Sequence, residues 1–215
     1  MNNDQVKNYF DKTSTEFDGI YDSNSLLDRV FHKGMYERVA ETIRQCGDVK
    51  GKSVLDVGCG SGRIALALAT RGASVVGVDY APKMITLANT YKSKYRDVDA
   101  EFSCYDFLAD YATDKMFDIT IALGVTDYLA DPIPLLEKMA RMTKGMMIVS
   151  FPAKFCPQAL LRKAWLWTRK CPVYFYDARR LEEMYWSFDV HGVAIVYLPS
   201  GARFPTDYLV ICDVD

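Results

Sequence analysis

Histidine and closely spaced cysteines are scarce in this sequence. The chain has two histidines and six cysteines, and no two of these cysteines form a C-x-x-C pair. Zinc sites and disulfide-stabilised domains usually show such spacing. The pattern therefore favours reduced thiols inside a cytoplasmic protein, and it predicts neither a disulfide framework nor a zinc site.

Long apolar runs and a strong excess of charge are also absent. No uncharged apolar run approaches the roughly 18 residues that a membrane span requires, and the polar, acidic start of the chain argues against a signal peptide. The formal net charge of −2 provides no electrostatic case for nucleic-acid binding. A chain of 215 residues can form one core with at most a small additional cap, so we predict a single domain.

The most informative stretch is the glycine-rich segment S-V-L-D-V-G-C-G-S-G-R-I. It predicts a buried strand, a turn containing Gly58, Gly60 and Gly62, and the start of a helix, which together bring a ligand close to the main chain. A dinucleotide-binding fingerprint has a further glycine where this chain has Arg63. Asp56, at the strand end, would repel a pyrophosphate. It suits a ligand that carries an ammonium group, such as S-adenosylmethionine.

Strand and helix patterns alternate along the middle of the chain, which predicts a parallel sheet with helices on both faces. Two further helices precede the first strand, and a helix with two strands ends the chain. The predicted strands are 53–57, 74–78, 100–104, 117–122, 145–150, 190–198 and 207–212. The predicted helices are 4–18, 25–46, 62–71, 82–94, 132–142 and 177–187.

The segment D-V-G-C-G-S-G resembles motif I of the class I S-adenosylmethionine-dependent methyltransferases. Val75–Asp79, Ala81–Met84, Phe102–Phe107 and Phe117–Val125 resemble later segments of that family in order and spacing. The resemblance implies an α/β fold: a Rossmann-like, doubly wound sheet, mostly parallel, with a C-terminal antiparallel hairpin. It also implies S-adenosylmethionine as cofactor and S-adenosylhomocysteine as product.

The resemblance also assigns roles to single residues. Asp79 would hold the ribose hydroxyls, Tyr80 and Met84 would flank the adenine, and Asp106 would accept a hydrogen bond from the adenine amino group. Two alternatives are that Asp79 is a helix N-cap and Asp106 a solvated loop acid. Cys59 is interpreted as a small residue that fits the turn rather than as a redox group. The predicted cofactor-binding residues are Asp56, Gly58, Cys59, Gly60, Gly62, Asp79, Tyr80, Met84, Asp106, Phe107 and Leu123.

The regions that flank the core are assigned by a less specific resemblance. Residues 1–47 would form a helical N-terminal lid, 52–150 the cofactor-binding core, 151–187 a substrate cap and 188–215 a closing hairpin. Tyr9 and Tyr21 would belong to the lid and exclude water from the cofactor. The alternative is a surface helix packed by its aromatic side chains.

The predicted cap is basic. From residue 138 to residue 176 there are eight basic residues and no acidic one. We assign Arg162, Trp165 and Arg169 to the substrate cap, and we hypothesise that the acceptor is an apolar or aromatic molecule that can carry an acidic group. Alternatively, the basic residues offset the acidic N-terminal third, or the cap helix makes peripheral contact with a membrane surface.

Methyl transfer from a sulfonium mainly requires alignment of acceptor and methyl at about 3–3.5 Å. The sequence identifies no catalytic base, and the weak candidates are Tyr9, Tyr21, His32, Asp127 and Tyr128. No paired acids of a divalent-metal site are recognisable, so no metal is expected. The chain lacks the Pro-Pro-Tyr type of motif that nucleic-acid methyltransferases use after the fourth strand.

We therefore predict methyl transfer to a small molecule, with oxygen favoured over nitrogen. One alternative is an N-methyltransferase of an amine or amino sugar, and another is a non-catalytic subunit that binds the cofactor. The N-terminal segment and the basic cap resemble those of magnesium-protoporphyrin O-methyltransferases and of the O-methyltransferases of quinone biosynthesis, but these likenesses do not identify a substrate. The sequence makes no prediction of oligomeric state.

Overall fold

The computed structural model describes Val6, residues 33–156, Thr168, residues 171–185, Phe188 and residues 190–214. The helices within these ranges are α1 (Lys33–Cys46), α2 (Arg63–Ala69), α3 (Pro82–Lys92), α4 (Ile133–Arg141) and α5 (Ala178–Tyr185), with a 3₁₀ turn at Thr126–Tyr128. The strands are β1 (Ser53–Val57), β2 (Ser74–Asp79), β3 (Ala100–Cys104), β4 (Phe117–Ala122), β5 (Thr143–Pro152), β6 (His191–Leu198) and β7 (Asp207–Asp213).

The strands form one seven-stranded sheet in the order β3-β2-β1-β4-β5-β7-β6. The first five strands pair in parallel, while β7 pairs antiparallel with both β5 and β6. The predicted α/β class and the C-terminal antiparallel hairpin are therefore confirmed. The strand order reverses between β1 and β4, and ligands of such sheets bind outside the carboxyl ends of the strands at that point.

Both faces of the sheet are covered by helices. β1 places Leu55 and Val57 in the core beneath α4 and α5, and Val54 in the core beneath α2 and α3. This alternation follows from the twofold repeat of side chains along a strand. The carboxyl ends of the central strands are therefore held between two packed layers.

The buried face of α1 differs from the predicted one. The sequence pattern predicts a buried stripe that includes Val39 and Ile43, yet Arg38 and Thr42 are buried while Val39 and Ile43 are half-buried. Arg38 can lie inside the protein because its guanidinium donates to a carboxylate oxygen of Asp207 at 3.3 Å. A polar side chain with a buried partner therefore lies beside the predicted apolar stripe, of which Ile43 packs against the core.

Several predicted element ends also shift. α2 begins at Arg63, because Gly62 adopts a left-handed conformation with φ 76°. β5 begins at Thr143, two residues before the predicted start, because Thr143 already pairs with Phe117 of β4. The Thr143 hydroxyl also lies 2.7 Å from that of Thr120. Polar residues thus start the strand inside the core, where the hydrophobic pattern does not indicate one.

Candidate active site at the carboxyl ends of β1, β2 and β4

The glycine-rich turn after β1 is fixed to the neighbouring strand. The backbone N–H groups of Gly58 and Cys59 both donate to the carbonyl oxygen of Val78 in β2, at 2.7 and 3.1 Å. Gly58, Gly60 and Gly62 have φ values of 68°, 54° and 76°. Only glycine adopts this left-handed region at low cost, so the sequence of the turn determines its shape.

The glycines of the turn differ in the space around them. A Cβ at Gly58 would lie 2.4 Å from Cγ2 of Val125, and a Cβ at Gly62 would lie 2.6 Å from the Phe102 ring. At Gly60 no atom of the described residues lies within 4 Å of that position. Gly58 and Gly62 are therefore needed for packing, while the turn is open to a ligand at Gly60.

We expect Gly58→Ala to lower the melting temperature more than Gly60→Ala. Both variants bear the cost of a positive φ, about 1–2 kcal/mol, but only the Cβ at residue 58 collides with Val125. Thermal denaturation of the two variants measures the difference, and Val125→Ala in the Gly58→Ala background should recover part of the loss. Equal melting temperatures for the two single variants would contradict the crowding at Gly58.

Asp79, at the end of β2, links the turn to the next helix. Its Oδ2 accepts from the backbone N–H of Gly60 at 2.9 Å, and its Oδ1 accepts from that of Ala81 at 2.8 Å. The second bond, to the N–H two residues on, forms an Asx-type turn. Ala81 is the N-cap of α3, so the alternative role of Asp79 as an N-cap is wrong. The same carboxylate thus orients the glycine turn and the start of α3, and it is almost completely buried.

Asp56 is the second acid at this edge. Its side chain is buried, and among the described residues its Oδ2 has no hydrogen-bond partner. Burial, and then the neighbouring charge of Asp79, raise the pKa of Asp56 from 3.8 to about 7, although the backbone N–H of Ala65 opposes the shift. A buried acceptor without a partner costs free energy. The site therefore favours a ligand that brings a cation or a hydrogen-bond donor to this oxygen.

Asp106 begins a short turn after β3. Its Oδ1 accepts from the backbone N–H groups of Leu108 and Ala109, at 2.9 and 3.2 Å. The Phe107 ring is buried in the core beneath α4 and stacks on Tyr111, with 5.7 Å between the ring centroids. The Phe107 ring is thus a core residue, and its contribution to cofactor binding stays a prediction.

Apolar side chains cover the ends of β2 and β4. Val6 and Cys171 are buried there, and Tyr80, Tyr128 and Val173 pack against them. We call these five residues the edge cluster. Burial, and then the charge of Asp79, raise the pKa of Tyr80. The edge cluster joins Val6, the strand ends and residues 171–173 of the predicted cap.

Three more predicted cofactor-binding residues lie along the turn and the strand ends. Met84 is buried on the first turn of α3, and Leu123 is half-buried directly after β4. The Cys59 thiol is buried, and burial raises its pKa well above 9.0. The thiol donates to the Gly60 carbonyl oxygen at 3.8 Å, and the backbone N–H of Cys59 donates to Val78, so both groups support the turn.

The chain matches a known family over most of its length. Residues 31–194 match the family described as a methyltransferase domain. The chain belongs to the class I S-adenosylmethionine-dependent methyltransferases. Its fold resembles the crystal structure of magnesium protoporphyrin IX methyltransferase from Synechocystis PCC 6803 with bound S-adenosylhomocysteine. The TM-score is 0.77 and the sequence identity 20%, with 98% of both chains covered.

Curated relatives are similar over a shorter range. The ubiquinone biosynthesis O-methyltransferase of Coxiella burnetii is 32% identical over 102 residues, which cover 47% of this chain and 43% of the relative. The protein of the same name from Azorhizobium caulinodans is 36% identical over 110 residues, which cover 50% of this chain and 43% of the relative. This chain therefore spans less than half the length of these relatives.

The structure describes two of the candidate bases. Asp127 is buried, and its carbonyl oxygen accepts from the backbone N–H of Tyr174 at 2.8 Å. Tyr128 is half-buried in the edge cluster. The remaining predicted base, lid and cap residues lie outside the described residues: Tyr9, Tyr21, His32, Arg162, Trp165 and Arg169.

Sequence patterns did not reveal the residues that support the end of β4. The Ser150 hydroxyl accepts from the backbone N–H of Gly124 at 2.8 Å, and the Thr126 hydroxyl donates to the Ser150 carbonyl oxygen at 2.6 Å. The Tyr176 hydroxyl lies 3.3 Å from the Thr126 carbonyl oxygen, and burial raises the Tyr176 pKa to about 12. These bonds join distant parts of the chain, and no local motif marks them.

The arrangement fits the cofactor of the family. Asp56 offers a buried acceptor to an ammonium group, Asp79 lies at the next strand end, and the turn is open at Gly60. Within the described ranges, no group of three His, Cys, Asp or Glu side chains could hold a metal ion. None of the described helices is long and apolar enough to cross a membrane.

Proposed function

We propose that this methyltransferase transfers a methyl group from S-adenosylmethionine to an oxygen atom of a small apolar or aromatic acceptor, which can carry an acidic group. The pair Asp56 and Asp79 around the open glycine turn carries the proposal. A buried carboxylate with an unused oxygen suits the ammonium group of the cofactor, and an acid at the end of β2 suits the ribose hydroxyls.

The protein's contribution to the reaction is binding and alignment. S-adenosylmethionine, when bound, supplies a methyl group on a positively charged sulfur. Gly60 leaves room for close approach, Tyr80 and Met84 would flank the adenine, and the edge cluster would exclude water from the strand ends. Holding an acceptor near the methyl can account for about 7–11 kcal/mol of a reaction barrier.

Similarity to O-methyltransferases favours oxygen as the acceptor atom. The two curated relatives described above are O-methyltransferases of ubiquinone biosynthesis, and they share 32% and 36% of aligned residues with this chain. Tyr128 packs in the edge cluster, and we assign it as the candidate that could remove a proton from a hydroxyl group. We assign Arg162, Trp165 and Arg169 to recognition of the acceptor.

Asp79 variants test cofactor binding directly. We expect Asp79→Ala to weaken S-adenosylhomocysteine binding at least about 100-fold, because the two backbone bonds and the charge are all lost. Asp79→Asn keeps an acceptor oxygen, and we expect a loss of about tenfold. Titration calorimetry measures both, with the exposed Asp114→Asn as control. An affinity of Asp79→Ala within twofold of the wild type would refute the proposed cofactor site.

An acceptor panel tests the second half of the proposal. Phenols, catechols and carboxylated aromatics should yield S-adenosylhomocysteine when incubated with the enzyme and S-adenosylmethionine. Transfer only to amines or amino sugars would replace the proposal by an N-methyltransferase. Tight cofactor binding without transfer to any acceptor of either panel would indicate a non-catalytic cofactor-binding subunit.

A further inference from the structure

Lys138 connects α4 to the turn that carries Asp106. Its ammonium group donates to the carbonyl oxygens of both Phe107 and Tyr111. The same ammonium lies 5.0 Å from the centroid of the Phe107 ring, within the range of a cation–π contact. One side chain from α4 thus makes three contacts with a single turn 27 to 31 residues earlier in the chain.

The turn needs this support because it is too short to satisfy its own carbonyl groups. Residues 106–111 form an isolated turn in which the backbone N–H groups of Asp110 and Tyr111 donate to the carbonyl oxygen of Asp106. Asp106 Oδ1 caps the opposite, N-terminal side of the turn. A single helical turn leaves its later carbonyls without intrahelical partners, and a lysine can satisfy such carbonyls. Lys138 does so for two of them.

We propose that Lys138 is a positioning residue that sets the preference of the enzyme for adenine. It holds the turn against α4 and so fixes the direction of the Asp106 carboxylate. This inference depends on the proposed cofactor site, in which Asp106 accepts a hydrogen bond from the adenine amino group. Because Lys138 bonds to the turn and not to the ligand, its removal affects base recognition while the contacts of Asp56 and Asp79 remain.

Two ligands that differ only in the base separate this role from general stability. S-adenosylhomocysteine carries the amino group, and S-inosylhomocysteine carries a carbonyl oxygen in its place. A site built to accept from an amino group discriminates against an analogue that lacks it, here by about 10–100-fold. We expect Lys138→Met, which keeps the aliphatic stem, to lower this affinity ratio at least about fivefold by weakening binding of the adenosine ligand alone.

Lys138→Arg and Lys144→Met provide the controls. Arginine keeps the charge and the donors, so it should retain most of the wild-type ratio. Lys144 is a half-exposed lysine paired with Asp118 at the opposite edge of the sheet, and its replacement should leave the ratio unchanged. Calorimetric affinities for both ligands, together with melting temperatures, complete the comparison.

The outcomes are distinct. A wild-type ratio in Lys138→Met, or an equal loss of affinity for both ligands, would overturn the positioning role. Failure of the wild-type protein to bind S-adenosylhomocysteine at all would instead refute the proposed function. The inference is supported if Lys138→Met is folded but has a lowered ratio of affinities for the two ligands, while Lys138→Arg keeps the wild-type ratio.

Discussion

Asp56→Asn should make the protein more stable at neutral and alkaline pH and, at the same time, unable to bind its cofactor tightly. The pKa of Asp56 is about 7 in the folded protein and 3.8 in the absence of its surroundings. Above pH 7 the folded protein therefore holds an ionised carboxylate in a buried position. An asparagine side chain carries no such charge.

The sign of the pH dependence follows from this raised pKa. The folded state binds the Asp56 proton between pH 3.8 and about 7, whereas the unfolded state has released it, so the Asp56 contribution falls as pH rises through that range. From about pH 5 to about pH 8 the expected fall in the free energy of unfolding is about 3 kcal/mol, or about 6–12 °C in melting temperature. The difference in free energy of unfolding between Asp56→Asn and the wild type should therefore grow by this amount from pH 5 to pH 8.

Asp118→Asn is the matched control for this experiment. Hydrogen bonds from Ser53, first from its backbone and then from its hydroxyl, lower the Asp118 pKa to about 2. Asp118 is thus ionised in both folded and unfolded states at pH 5 and above, so its replacement should shift the melting temperature equally at both pH values. An Asp56→Asn effect that is equally independent of pH would show that Asp56 is already ionised at pH 5.

Binding of S-adenosylhomocysteine tests whether Asp56, besides destabilising the free protein, also contacts the cofactor. S-adenosylhomocysteine should raise the melting temperature of the wild type, because a bound ammonium group would satisfy the buried oxygen that the described residues leave unpaired. The same concentration should raise that of Asp56→Asn much less. An equal rise in melting temperature for both proteins would show that Asp56 does not contribute to cofactor binding.

The sequence predicts the sheet well where each strand is followed by a turn with its own signature. β1, β3 and β4 occupy the predicted residues, because Gly58, Asp106 and Gly124 or their neighbours end them with turn-forming chemistry. The topology then brings the predicted acids of β1 and β2 together. Residue positions that depend only on a strand end can therefore be predicted from one sequence.

Contacts between distant elements cannot be predicted in this way. Lys138 lies in an ordinary amphipathic helix, and nothing in its neighbourhood indicates that its ammonium bonds to Phe107 and Tyr111. Phe107 follows a predicted site acid, yet its ring packs in the core. Arg38 interrupts the apolar period of α1, and its partner is 169 residues away. Each of these features depends on the complete fold and not on a local pattern.

Arg38→Met and Asp207→Asn should each destabilise the protein strongly. The two side chains form a salt bridge of 3.3 Å, and they are only 9% and 10% exposed. Removal of either partner breaks this buried pair, and such a change costs about 3–5 kcal/mol. For a chain of this size that corresponds to a loss of about 6–20 °C in melting temperature.

The same substitutions should disturb the end of β4. The guanidinium of Arg38 lies 3.4 Å from the position of a Cβ at Gly124, and the Gly124 backbone N–H donates to Ser150. We therefore expect both variants to lose methyl transfer at temperatures well below their melting points. Initial rates of methyl transfer, measured about 10–15 °C below the melting temperature of each variant, test this expectation.

A surface ion pair and a double variant make the stability prediction decisive. Arg179 and Glu183 form an exposed pair, with 87% and 65% of their side chains accessible, so Glu183→Gln should change stability by no more than about 0.5 kcal/mol. Arg38→Met combined with Asp207→Leu should recover much of the single-variant loss, because apolar packing can replace a buried ion pair. If the single variants melt at the same temperature as the Glu183→Gln protein, the buried pair contributes little to stability. A double variant that is less stable than either single variant would show that packing cannot replace the pair.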